Sequence, residues 1–129
     1  MASVEFAFIV PIIILIVLGT YDIGNYVLQE MKLTEAAQAG GQYAVAYPSD
    51  NAGATCAVQL VLCPNVTTGH CPGAASCPLP AITITGPSTS GSGANTETTV
   101  TITLTQAYNP VLLINVLTSL TASDVVRVQ

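Results

Sequence analysis

Residues 1–19 read MASVEFAFIVPIIILIVLG, an apolar run broken by one acid, Glu5, and one proline, Pro11. A carboxylate at the centre of a lipid-bound helix costs about 2.5–3.5 kcal/mol. Glu5 therefore calls for a positive partner, and the chain has no Lys or Arg before Lys32. In that layer the remaining cation is an N-terminal amine, that of Met1 in the same chain or in a neighbouring copy. The span from Val4 to Tyr21 sits at the short end of what crosses a bilayer as a helix. A secretory signal peptide would carry basic residues in front and a small-residue cleavage site behind. The first are missing here, and Thr20-Tyr21-Asp22 suits the second poorly. The expectation is a mature chain whose basic leader has been removed.

Helical spacing continues beyond the apolar run. Ile23, Tyr26, Val27, Met31, Thr34, Ala37 and Gly41 recur every three or four residues, with Glu30, Lys32, Glu35, Gln38 and Gln42 largely on other faces. One helix is expected from about residue 2 to Tyr47, ended by Pro48 and roughly 70 Å long at 1.5 Å per residue. Pro11 removes a backbone hydrogen bond and clashes with the carbonyl of Ala7, so a kink or short unwound stretch is expected there. The small residues Ala36, Ala37, Ala39, Gly40, Gly41 and Ala44 permit close approach of another helix. Asp22 reads as a solvated residue at headgroup depth, or as a contact to a neighbour after assembly.

The remainder, 48–129, reads as a small β-rich domain. Cys56, Cys63, Cys71 and Cys77 crowd a Pro-rich stretch with six, seven and five residues between consecutive cysteines. Those gaps are too wide for a zinc site, so disulfides in an oxidising compartment are expected and metal is not. Cys56–Cys63 is disfavoured, because about 10 Å would separate the pair in a helix and about 23 Å in a strand. Two arrangements remain: nested (Cys56–Cys77, Cys63–Cys71) and crossed (Cys56–Cys71, Cys63–Cys77). The turn Pro64 to His70 favours the nested one. Residues 57–62 read as a short strand or helical turn. Residues 81–85 and 99–105 alternate Thr with Ile, Val or Leu, the mark of a sheet with one wet face. GPSTSGSGANTE between them reads as a hairpin loop, Val111–Leu120 as a short helix covering the sheet, and Asp124–Val128 as a last strand. The fold class is α+β: a long N-terminal helix, kinked near Pro11, then a small disulfide-bonded antiparallel β-domain with a short covering helix. The expected division is 1–47 for the membrane or filament-core helix and 48–129 for the extracellular domain.

Composition excludes whole classes of function. Charged residues make up 7% of the chain and hydrophobic ones 50%, with a net charge of −5 from only two basic residues. No basic stripe exists to hold phosphates, so nucleic-acid binding is excluded. One histidine, no acid beside it in sequence and no phosphate cradle argue against an enzyme, and no cofactor is implied. A chain so poorly charged hides its surface in lipid or in an assembly. Asn65-Val66-Thr67 is a glycosylation sequon, making Asn65 a possible modification site.

Val4-Glu5-Phe6-Ala7, then Pro11, Gly19, Asp22 and Gly24, together with the segment Ala36–Ala44, resemble the TadE-like pilins of tight-adherence (Flp-type) pili. The specific likeness covers residues 3–44. Tyr108, Pro110 and Asp124–Arg127 are similar in general layout only. The resemblance implies a prepilin cut by a prepilin peptidase, stored in the inner membrane, and drawn by the pilus assembly machinery into an extracellular helical filament of its own copies. It places Glu5 where related type IV pilins carry a glutamate. The assembly residues so implied are Met1, Glu5, Pro11 and Asp22. The alternative is a minor or tip pilin, or a single-span membrane-anchored adhesin displaying the β-domain.

Overall fold

The computed structural model describes residues 2–63, 71, 79–91, 96–110 and 118–128, with side chains from residue 6 onward. Helix α1 runs Ala2–Ala46 without a break at Pro11. The unwound stretch expected there is absent: one missing N–H in a helix this long leaves the rest of the ladder intact. Pro48 stops α1, and helix α2 occupies Asn51–Leu62. Asp50 caps α2, its Oδ1 accepting from Gly53 N–H at 3.0 Å while its Oδ2 accepts from the Tyr43 hydroxyl at 2.8 Å. The residue that starts α2 is thus tied back to α1. The segment 57–62, left open between strand and helix by its sequence, is helical.

Three strands follow, β1 (Ala81–Ser90), β2 (Glu97–Ala107) and β3 (Ser119–Val128), in an antiparallel sheet of order β1-β2-β3. β1 reaches further into the expected loop than its alternation shows. It does so through a register shift between Thr85 and Ser88, where Gly86 adopts φ of 131°, a conformation that favours glycine. The covering helix expected over Val111–Leu120 is corrected at its end, where Ser119 and Leu120 belong to β3. Its residues 111–117 lie outside the described residues, as does Asn65.

The sheet lays one face on the helices. Val100, Ile102 and Leu104 of β2 and Leu120, Ala122 and Val128 of β3 are buried with Leu33, Ala36, Ala37 and Ala44 of α1 and Val58 of α2. Thr83, Thr103 and Ser123, aligned across the three strands, lie on the opposite face. The small-residue segment of α1 is consumed inside the chain. A Cβ on Gly40 would stand 2.6 Å from Val58 Cγ2 and 3.0 Å from Ile102 Cδ1, and one on Gly41 would collide with the Asp124 carboxylate. Glycine lets α1 touch α2 and the sheet at one point.

The nested disulfide arrangement is also corrected. Cys56 is bonded to Cys71, with Cα atoms 5.0 Å apart. Cys63 is disulfide-bonded too, and Cys77 lies outside the described residues. α2 fixes where the first two cysteines stand. It holds Cys56 within the helix and Cys63 at the C-cap. Cys71 comes to the side of α2 that carries Gly53, Ala57 and Leu60, beside Tyr43 of α1.

Candidate membrane and assembly helix

α1 has two lengths of different surroundings. From Phe6 to Val17 nearly every side chain is exposed: Phe6, Phe8, Ile9 and Ile12 through Val17 are each more than half open to solvent. Its most apolar 18-residue window has a mean hydropathy of 2.4 and is 6% buried, long and apolar enough to cross a membrane. Ala2 to Tyr21 rises roughly 30 Å, the thickness of a bilayer's hydrocarbon layer. Thr20 would sit near its edge, and its Oγ1 donates to the Ile16 carbonyl at 2.8 Å, so the hydroxyl carries its own partner.

The docked length begins at Asp22. Its burial, 1% exposed, overturns the solvated reading. The β-domain covers it: the Tyr108 hydroxyl donates to the Asp22 backbone carbonyl at 2.8 Å. The Tyr108 ring also meets Tyr26 edge to face, centroids 5.4 Å apart at 89°. Burial first, then the Asp22 charge, push the Tyr108 phenol above its ordinary pKa. Sequence reasoning took Tyr108 only as part of a family layout. The signal was present in strand phase, since Tyr108, one residue past β2, keeps the even-numbered phase of the buried 100, 102 and 104. Beyond Asp22 the docked face continues through Leu33, Ala36, Ala37, Gly40, Gly41 and Ala44.

That face is not the stripe read from the sequence. Ile23, Val27 and Met31 are 55%, 41% and 58% exposed, with Leu28 beside them at 58%. At 100° per residue Val27, Leu28 and Met31 lie about 120° or more round α1 from Asp22, Leu33 and Gly40, while Ile23, about 100° from Asp22, stands at the border of the docked face. Of that stripe, Ala37 and Gly41 are buried and Tyr26 is half-buried. α1 therefore carries two faces beyond the span: a small-residue face occupied by its own domain, and a solvent-open face that is apolar at Val27, Leu28 and Met31 and bordered by Glu30, Thr34, Glu35 and Gln38. Pro11 is exposed on the free length. Glu5 lies in the first turns of α1, while its side chain and Met1 fall outside the described residues. Among the described residues no group of His, Cys, Asp and Glu is arranged to hold a metal.

No curated protein and no solved structure matches the chain. The family model described as TadE-like protein matches residues 1–42, so the resemblance read from the sequence is borne out along the free and first docked lengths of α1, and this N-terminal segment is TadE-like.

Proposed function

We propose that the chain is a structural pilin subunit of a Tad-type, type IV-related pilus, stored by its N-terminal helix in the inner membrane and polymerised through it into an extracellular filament of its own copies. The TadE-like segment points to a pilus-associated protein. The observation that carries polymerisation is the exposed stripe Ile23, Val27, Leu28 and Met31, which extends the apolar surface of α1 past the end of the span on the side its own domain leaves open. Lipid cannot cover that stripe while the domain sits above the bilayer, whereas the α1 of another copy can. In this reading 1–47 is the membrane and filament-core helix, and 48–129 faces outward. The Met1 amine of one copy meets the Glu5 carboxylate of another, which sets axial register because an unpaired buried carboxylate costs several kcal/mol. A prepilin peptidase and the pilus assembly platform are the partners that this route requires.

The test is Val27→Lys with Met31→Lys, which places two ammonium groups in the shared core. Both positions are exposed in the single chain, so its stability should change by no more than about 0.5 kcal/mol each. Filaments counted by electron microscopy should vanish while the chain still accumulates in the membrane. Glu5→Ala should block or scramble assembly in the same assay. Filaments of normal number and length from both variants would overturn the reading. A few copies per filament by mass spectrometry, in place of a main band, would assign the chain to a minor or tip position.

A further inference from the structure

The Tyr108 end of the sheet differs from the opposite end in charge and position. β2 runs against α1: Ile102 packs beside Gly40, and six residues later Tyr108 bonds to the backbone of Asp22. The β2–β3 hairpin therefore points toward the free apolar length of α1, and Tyr108 reaches the helix where that length ends. The hairpin is held there by the Tyr108 N–H bond to the Thr118 carbonyl at 3.0 Å. Among the charged side chains of the described strands, Asp124 stands opposite Ile102 at the middle of the sheet, and Glu97 and Arg127, which pair at 2.8 Å, lie at the other end. The end near α1's apolar length exposes Tyr21, Asn109 and Thr118 with Pro110 half-buried, a rim with no charge. By sequence, the residues that continue from this rim, VLLINVL at 111–117, are six aliphatics and one Asn, again without charge.

From these placements we propose that the subunit has a second membrane contact: the rim of Tyr21, Asn109, Pro110 and Thr118 rests in the headgroup layer of the leaflet from which α1 emerges. The proposal rests on the membrane storage argued above and adds an orientation. The sheet stands upright on the lipid, clamped by the Tyr108–Asp22 bond, with Ser90 and Glu97 roughly 30 Å farther out at about 3.3 Å per strand residue. Tyrosine and uncharged polar groups suit that layer, where an aromatic ring and a hydrogen-bonding tip are both accommodated.

The chain contains no tryptophan, so single Trp substitutions report depth without background. Full-length chain carrying Asn109→Trp, Thr118→Trp, Ser90→Trp or Leu15→Trp is reconstituted in phosphatidylcholine vesicles containing lipid spin-labelled either at the headgroup or deep in the acyl chain. All four positions are exposed in the chain. Leu15→Trp should be quenched by the deep label. Asn109→Trp and Thr118→Trp should be quenched by the headgroup label at least threefold more than Ser90→Trp. Adding Tyr108→Ala to Thr118→Trp should bring its quenching toward the Ser90→Trp level. If Leu15→Trp is quenched while 109 and 118 match Ser90, the second contact is overturned and the span stands. If Leu15→Trp is not quenched by the deep label, the membrane reading itself fails, and this inference with it.

Discussion

Replacing Tyr108 by Phe removes one hydroxyl and leaves the ring. That hydroxyl donates to the Asp22 carbonyl at 2.8 Å in a buried setting. The carbonyl belongs to the interior of α1, so its helical partner remains and no acceptor is orphaned. The loss is then the net value of one hydrogen bond, about 0.5–1.5 kcal/mol. For a domain of this size that lowers Tm by roughly 2–10 °C. Tyr108→Ala also empties the contact with Tyr26 and opens the cover over Asp22, a loss of about 3–5 kcal/mol. Near-ultraviolet circular dichroism of the full chain in detergent micelles, followed through heating, separates the two. The pH dependence adds a second readout. Tyr108 has its folded pKa raised by burial and by the Asp22 charge. Its contribution is complete below the ordinary tyrosine pKa and is lost as pH rises through the higher folded value. The Phe variant should lack that alkaline loss. A Phe variant that melts as early as the Ala variant, or an Ala variant that melts with wild type, would refute the clamp.

Gly40→Val should destabilise by about 1–3 kcal/mol through overpacking against Val58 and Ile102, whereas Gly24→Ala, which meets open space, should not; thermal melts of the two compare them. The double variant Cys56→Ser, Cys71→Ser should lose about 3 kcal/mol, the chain-entropy value for a loop of 15 residues, measured by urea denaturation. Asp50→Ala should cost about 0.5–2 kcal/mol as a lost helix cap. The Asp50 carboxyl is held below its ordinary pKa by the Gly53 N–H and then by the Tyr43 hydroxyl. Its stabilisation is thus present above the unfolded carboxylate value and lost as pH falls through the lower folded one; Asp50→Asn should remove that acid dependence from the denaturation profile.

What could be read from residues alone follows how local the signal is. The bounds of α1 came from an apolar run broken only by Glu5 and Pro11, the helical spacing that continues beyond it, and the stop at Pro48. β1 and β2 came from strict alternation of Thr with aliphatics, a period of two that only an extended chain satisfies. α2 was ambiguous because Ala57–Leu62 is a short apolar run that suits either state. Its helix is decided by the Asp50 cap and by burial of Ala54 and Val58 beneath α1. The disulfide pairing was misjudged for a related reason. Proximity of Cys71 to Cys56 depends on how α2 folds back on α1, and nothing in the spacing encodes that.

The amino-acid order by itself determined that this chain has a greasy N-terminal rod, a wet-faced sheet and very little charge, because each rests on the nature and period of neighbouring side chains. Which side of the rod the sheet would occupy was settled only in three dimensions. The apolar spacing of Ile23, Val27 and Met31 marks a face as convincingly as that of Leu33, Ala36 and Gly40. Periodicity reports that a face is apolar and is silent on what covers it. Close packing chose between them: the small residues let the backbone of α1 come within reach of Val58, Ile102 and Asp124, and Tyr108 closed over Asp22. The bulky face was left outward, and the proposed assembly begins from it.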